Sequence, residues 1–429
     1  MRFLYSAVLY FLTPLVILRL LILSIRNPDY RKRWTERFGF TSLPSSENKI
    51  LWIHAVSVGE VQASKPLVHQ LQKQYPQLQI MVTTMTPTGA KTVQQQFGDT
   101  VIHKYIPYDL PVSVKRFLLL VKPVMLIVME TEIWPNLYYQ CNRKNIPVII
   151  ANARLSRKSF TGYHALGRFT AVTLSYVSHV LAQGQVDADR FEMLGVAKSR
   201  IIITGNLKFD IRFPGSIREQ AQVIRRYLSV NRPVWISAST HEGEEKILLN
   251  AFQKVIKNHP DCLMIIAPRH PERFEMVTNL SIKHGFNTLR KSQHQPISSD
   301  TKVFILDTLG ELPVFYAASD IAFVGGSLVN HGGHNMLEPA SLGVPVITGP
   351  YISNFEEITD MLVASGAAWV IHDPEQLVDR INLLLIDANL RYSAGENGKK
   401  LVESNRGNVI KLLEILNHYL VNYVESDVK

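Results

Sequence analysis

Cysteine is scarce in this chain: Cys141 and Cys262 are the only two in 429 residues, and they lie far apart. That excludes a disulfide framework and a paired-thiol metal site, and it fits a reducing compartment. No GxxxxGK[ST] segment occurs, so this is not a P-loop NTPase, and no HExxH segment occurs to hold a metal. The interleaving of basic and aromatic residues that marks RNA binding is also missing. Charged residues make up 19% of the chain and hydrophobic residues 46%, which describes a folded protein with large cores. At ~150 residues per domain, the length allows two or three domains. The formal net charge of +10 leaves acidic partners, and an anionic membrane or a phosphorylated substrate ranks above nucleic acid.

Long apolar runs are absent except at one place. Phe3 to Leu23 is almost wholly apolar and just reaches the ~20 residues that span a bilayer. Arg26, Arg31, Lys32, Arg33 and Arg37 follow it, and only Arg2 precedes it. That asymmetry places the remainder in the cytoplasm. No small-residue cleavage site ends the run, which argues against a removed signal peptide. Three forms stay open: a single-span anchor, a helix lying in the interface, and a buried core helix. The basic cluster would favour anionic lipid.

From Lys49 onward, apolar β-branched runs alternate with helical stretches, as in LWIHAV, QIMVTTM, PVMLIVME and PVIIANA. A second series begins at PVWISAST and continues through CLMIIAPR, KVFILDT, DIAFVGG, VPVITG and AAWVIHD. This pattern implies an α/β protein with two mostly parallel, doubly wound sheets, each covered on both faces. The expected division is an anchor helix over 1–25, an N-terminal acceptor-binding domain over 26–210 and a linker with a helix over 211–232. A nucleotide-sugar domain over 233–407 and a closing helix over 408–429, crossing back to the first domain, complete it. Ligands bind beyond the carboxyl ends of such strands, so the natural site is the cleft between the halves.

The loop GGSLVNHGGHNMLEP, Gly325 to Pro339, draws most attention. Glycine allows close backbone approach, and the helix expected over Met336–Leu342 offers N–H groups to an anion. Glu338, in its first turn, suits a ribose diol. A glycine-rich turn before a capped helix fits the same residues. Other strand-end loops carry Glu60, Glu130 with Glu132, Lys208, Arg269 with His270, and Leu309-Gly310-Glu311. Glu60 reads as a general base facing the cleft or as a helix-start residue favoured by the dipole. Glu130 and Glu132 read as a carboxylate pair that orients an acceptor or raises a neighbour's pKa, or as helix caps. Lys208 reads as a cleft residue or a solvated lysine, and Arg269 as a phosphate partner or a surface ion pair. Asp187 and Asp189, at the start of a surface helix, are not read as metal ligands. A metal-free transferase follows, with its leaving group met by basic side chains and helix termini.

The segments YRKRWTERFGF, HAVSVGE, MVTTMTPTG, YIPYDLP, METEIWPNL, TGNLKFD, STHEGEE, APRHPERF and FVGGSLVNHGGHNMLEP occur collinearly. Over nearly its whole length the chain resembles the Kdo transferases of lipopolysaccharide synthesis, which attach 3-deoxy-D-manno-octulosonic acid (Kdo) to a lipid A precursor. One departure is Met336, where the family often has proline. The resemblance implies a GT-B glycosyltransferase on the cytoplasmic face of the inner membrane, with donor CMP-Kdo as co-substrate, acceptor lipid IVA and no cofactor. It implies inversion at the anomeric carbon, Glu60 as general base, and Glu130 and Lys208 stabilising the transition state. It further implies Pro268, Arg269, Leu309, Gly310, Glu311, Asn335, Met336, Leu337 and Glu338 as CMP-binding residues, with Gly326, Ser327 and His270 as further candidates. Members that add one, two or several Kdo residues share these motifs; two is the expectation here. Two other classes fit less of the chain: a soluble enzyme of the same fold, such as a UDP-GlcNAc 2-epimerase, and a non-enzymatic membrane scaffold.

Overall fold

The computed structural model describes residues 1–43 and 48–424. Positions 44–47, and the last five positions of the stretch 408–429, lie outside the described residues. The chain divides into two compact units, Met1–Asp210 with Gly407–Lys429, and Ile211–Arg406.

The first unit is built on seven strands: β1 (Ile50–His54), β2 (Gln79–Thr84), β3 (Ile102–Tyr105), β4 (Met125–Met129), β5 (Val148–Ala153), β6 (His179–Ala182) and β7 (Ile201–Ile203). Every pairing is parallel, in the order β3-β2-β1-β4-β5-β6-β7. The β1 and β4 strands are buried at every position, which explains why they read as continuous apolar runs rather than alternating ones. One face packs Leu51, Ile53 and Ile127 beneath the helix Val58–Gln74 and the C-terminal helix Asn408–Val424. The other packs Trp52, Val128 and Ile150 against Phe117, Leu137 and Phe191. Asp210 holds the start of the C-terminal helix, its carboxylate accepting the amides of Gly407 and Val409 at 2.6 Å each.

The second unit repeats the plan with β8 (Val234–Thr240), β9 (Leu263–Pro268), β10 (Thr288–Arg290), β11 (Val303–Ile305), β12 (Ile321–Val324), β13 (Val346–Thr348) and β14 (Ala368–Val370). They are parallel in the order β10-β11-β9-β8-β12-β13-β14. Both sheets reverse strand order beside their first strand, between β1 and β4 and between β8 and β12; in the second, β11 is also inserted between β9 and β10. In doubly wound sheets that reversal opens the crevice where ligands bind. The fold is a GT-B pair of Rossmann-like domains with one N-terminal helix that is long and apolar enough to cross a membrane.

That helix, Arg2–Arg26, lies along the first unit. Tyr5, Ser6, Leu9, Thr13, Val16, Leu20 and Ser24 recur every three or four residues and are partly or fully buried. The opposite side exposes Phe3, Leu4, Phe11, Leu15, Leu18 and Ile22. Its first turn is tied down by polar contacts. The Asn136 carbonyl oxygen accepts Arg2 Nη1 and Ser6 Oγ, each at 3.1 Å, and the Arg2 guanidinium stacks on Tyr139. Asn136 is held in turn by Asp109, which accepts the amides of Asn136 and Leu137 at 2.9 and 2.7 Å.

Two expectations need correction, and one helical stretch is shorter than its residue pattern suggests. The stretch Thr131–Asn145 is helical only over Pro135–Arg143. Trp134 precedes a proline, which disfavours helical backbone there, and Glu130 takes a positive φ of 55°. The helix expected over Met336–Leu342 spans only Leu337–Ser341. The basic cluster after residue 26 is largely used internally. Lys32 pairs with Asp29 at 2.9 Å, Arg33 chelates Glu36 at 2.9 and 2.8 Å, and Arg37 is buried over the Tyr105 ring. The segment thus offers an anionic surface less charge than its composition suggests.

Candidate active site

In the first unit, Glu60 follows β1 and Glu130 follows β4, on the two sides of the strand-order reversal. Glu60 is the third residue of the helix Val58–Gln74. It forms a capping box with Ser57, whose hydroxyl accepts the Glu60 amide at 3.2 Å. The Glu60 carboxylate accepts the Val56 amide and the Ser57 hydroxyl, both at 2.8 Å. So the helix-capping reading of Glu60 is realised. Capping does not exhaust its chemistry, because burial pushes its pKa up to about 8, with Glu130 and then Glu132 adding to the rise. The hydrogen bonds from Val56 and Ser57 pull the other way and lose. A carboxyl group poised there can exchange a proton near neutrality.

Glu130 sits in the left-handed backbone region, which costs a non-glycine residue of order 1 kcal/mol or more. It caps no helix; the following helix has no side-chain cap. Its Oε1 lies 4.0 Å from Lys208 Nζ. Lys208 belongs to a short turn, Leu207–Phe209, that follows β7 at the edge of the sheet. That turn is drawn back over β5 because Asn152 Oδ1 accepts the Leu207 amide at 2.9 Å. Glu132 is anchored by Trp134 Nε1 at 2.9 Å, and its pKa is raised by burial and then by Glu130.

Sequence reasoning passed over two neighbours. Asn152 also has a positive φ, 54°, and its buried Nδ2 has no partner. Gln183 donates to the Asn152 carbonyl at 3.0 Å while its own buried Oε1 has none. Neither belongs to a recognisable spacing; the signal is the break in strand pairing between Ile150 and Ala153, invisible without the sheet.

The second unit treats its glycine loop differently from expectation. The amides of Gly326, Ser327 and Leu328 donate to the Glu244 carboxylate at 2.8, 3.0 and 2.8 Å, and so does the His241 amide at 2.8 Å. An internal carboxylate therefore occupies the donors that Gly326 and Ser327 were expected to offer a phosphate. Glycine is required for packing: a Cβ on Gly326, which has φ +69°, would lie 2.8 Å from His334 Cδ2. The sequence does not single out Glu244, since nothing in STHEGEE announces a carboxylate that reaches across to the loop after β12.

Around this loop stand His241, His331 and His334. The first two rings stack at 4.1 Å, and His241 Nε2 meets His334 Nε2 at 2.8 Å. Burial, reinforced by neighbouring histidines and Arg269, lowers His241 to about 4 and His334 to about 3, so both are neutral at physiological pH. Among the described residues, no group of three or more His, Cys, Asp or Glu is placed to hold a metal ion.

Of the remaining expected residues, Pro268 to His270 stand at the end of β9, and the others lie in the loops and short helices that follow β11 and β12. Pro268 closes β9 and is buried, whereas Arg269 and His270 just beyond it are exposed. Leu309 is 77% exposed beside Gly310, which has φ +87°, and Glu311 caps the short helix Leu312–Ala317 while pairing with Lys291 at 3.8 Å. Asn335 Oδ1 caps the Leu337 amide at 3.1 Å, and its Nδ2 donates to Glu338 at 3.3 Å. Met336 and Leu337 are fully buried, so they support the loop by packing rather than through ligand contact with their side chains. Asp187 is likewise structural, accepting the Leu155 amide at 2.8 Å.

Comparison with known proteins agrees in both units. Residues 32–211 match the 3-deoxy-D-manno-octulosonic-acid transferase (kdotransferase) family, and residues 234–401 match glycosyl transferases group 1. A 3-deoxy-D-manno-octulosonic acid transferase from Haemophilus influenzae is 42% identical over 423 residues, covering 98% of this chain and 99% of the relative. The solved C-terminal CMP-Kdo binding domain of an Acinetobacter baumannii protein is 35% identical, covering 44% of this chain and 98% of that one, at a TM-score of 0.42. A UDP-GlcNAc 2-epimerase from Neisseria meningitidis, solved with UDP-GlcNAc bound, shares the fold at a TM-score of 0.57 and 16% identity, covering 86% of this chain and 99% of that one. With a relative so similar from end to end, the chain belongs to the Kdo transferase family of glycosyltransferases.

Proposed function

We propose that the chain transfers Kdo from CMP-Kdo to lipid IVA with inversion at the anomeric carbon, and that Glu60 is the general base. The observation that carries this reading is the Glu60 carboxyl, buried at the strand-order reversal and raised to about 8. A base tuned near the working pH combines the deprotonated form with enough basicity to take a hydroxyl proton. As the acceptor sugar oxygen bonds to the Kdo anomeric carbon, its proton passes to Glu60 and the bond to the CMP phosphate oxygen breaks on the opposite face. Lys208 and Arg269 offset the charge on the Kdo carboxylate and the departing phosphate. Glu130 orients Lys208 and keeps Glu60 basic. Glu338, with Asn335 beside it, holds the ribose diol, and the loop Leu309–Glu311 covers the nucleotide. The proposed step uses no metal ion, and turnover is expected to survive a chelator.

The reaction is placed at the cytoplasmic face of the inner membrane. The N-terminal helix seats one stripe on the first unit over its length and leaves the other stripe apolar and exposed, which supports a helix lying in the interface rather than one projecting across it. The test is to incubate the full chain with CMP-Kdo and lipid IVA and weigh the products. Two added Kdo units are expected. One would restrict the enzyme to a single transfer, and none from folded protein would overturn the reading.

A further inference from the structure

Beneath the N-terminal helix lies a cavity of about 290 Å³. Its roof is one side of the helix: Tyr5, Leu9, Thr13 and Val16, spaced at three or four residues. Its floor belongs to two loops of the first unit, with Tyr108 and Leu110 from one and Glu132 to Trp134 from the other. Most of its surface is apolar, yet no side chain fills it. The cavity opens to the surface, so a flexible chain can enter it, and its mostly apolar lining favours hydrocarbon over water. Water takes only ~30 Å³ and needs several polar partners, which this lining provides sparsely.

We propose that this cavity receives an acyl chain of the acceptor lipid, so that the N-terminal helix is part of the acceptor site and not only an anchor. This rests on the acceptor reading given above. Three observations point to that occupant. The roof helix turns Phe3, Phe11, Leu15 and Leu18 outward, with Arg19 the exposed charge among them, so the cavity adjoins a surface suited to hydrocarbon. The floor residue Glu132 stands two residues beyond Glu130 in the loop that follows β4, so the cavity borders the loop that carries a carboxylate of the proposed site. The carboxyls that face it, Glu132 and Asp109, both have raised pKa values through burial, Asp109 to about 7, which lowers the cost of an apolar neighbour. The polar lock of Arg2 and Ser6 on Asn136 holds the roof in place while the chain enters. An acceptor held by its chain presents its sugar in a restricted orientation, which is how binding remote from the reacting atoms assists the chemical step.

The experiment uses the full chain in mixed micelles and a lipid A precursor carrying a diazirine at the end of one acyl chain. Irradiation is expected to label peptides containing Tyr108, Leu110 or Trp134. Label confined to outer residues such as Phe3, Phe11 and Leu15 would overturn the proposal while transfer to the same lipid kept the acceptor reading standing. Filling the cavity with Leu9→Phe or Thr13→Phe should raise KM for the acylated acceptor about tenfold, the worth of a few methylenes kept from burial, and reduce the preference for acylated over de-acylated acceptor. An unchanged preference in folded variants would count against it. No transfer by the wild-type chain to either acceptor would overturn the acceptor reading, and this proposal with it.

Discussion

The two units present closely related parallel sheets and opposite electrostatic solutions at the point where strand order reverses beside the first strand. In the first unit, burial and neighbouring carboxylates work against Glu60, Glu130 takes a strained backbone, and Asn152 and Gln183 keep buried polar atoms without partners. In the second, Glu244 takes four backbone amides from two loops, and Arg273 pairs bidentately with the buried Glu245 at 2.6 and 3.1 Å. The first arrangement keeps a carboxyl group reactive at the expense of stability. The second spends its polar groups on rigidity, which suits a loop that must hold a ligand in one position. A shared fold thus does not imply shared site physics; what differs is whether the strand-end carboxylates are held by backbone amides and an arginine or left beside one another.

Four substitutions would break or sharpen this contrast. Glu60→Gln should have the largest effect, lowering kcat by ~10² to 10⁴ while leaving CMP binding intact. The same change should raise thermal stability at pH 8 to 9. A carboxyl whose folded pKa is raised to about 8 loses folding free energy as pH climbs from its ordinary range toward that value, and glutamine does not. Thermal melts at pH 4 and pH 9 check this, with the gain confined to the higher pH. Glu244→Ala should act oppositely, on structure before chemistry. Four amides lose their acceptor, and at ~1 to 3 kcal/mol for each buried donor left unpaired the local opening free energy should fall by at least ~3 kcal/mol. Amide exchange at His241, Gly326, Ser327 and Leu328 should then accelerate by ~10² or more.

Glu130→Gln tests the coupling inside the first unit. For the wild-type chain, kcat/KM should rise with pH through a midpoint near 8, because the base must be deprotonated. Removing the Glu130 charge should move that midpoint to lower pH. Desolvation, the larger cause, persists, so the midpoint should stay above the ordinary ~4.3 of glutamate. A pH profile of kcat/KM measures this whatever the height of the curve. Met336→Leu should have the smallest effect, under ~1.5 kcal/mol in stability and little in nucleotide affinity, since Met336 is buried and touches Thr359. A large loss of affinity would show that nucleotide binding depends on the packing beneath the glycine loop.

The chain's order of apolar runs was enough to anticipate two doubly wound parallel sheets, because a strand buried on both faces must be apolar throughout. The positions of Glu130 and Arg269 were legible for the same reason, since each follows an apolar run directly, and Glu60, Lys208, Gly310 and Glu338 lie in the loops and turns that come after such runs. What each side chain bonds to was not legible. Glu60 reads alike as a cap or a base, and it is a cap whose burial makes it basic. Gly326 and Ser327 read as phosphate donors until Glu244, 82 residues from Gly326, is seen to fill them. The basic run Arg31 to Arg37 looked like a membrane patch, but Glu36, Asp29 and Tyr105 absorb much of it.

The sequence by itself therefore determined the architecture, the family and the strand ends where chemistry collects, since these depend on local pattern and on motifs in order along the chain. Only the tertiary structure decided which carboxyl groups are desolvated, which amides are already taken and where the N-terminal helix leaves a cavity. Those properties are set by neighbours far away in sequence, and electrostatics and packing act through space.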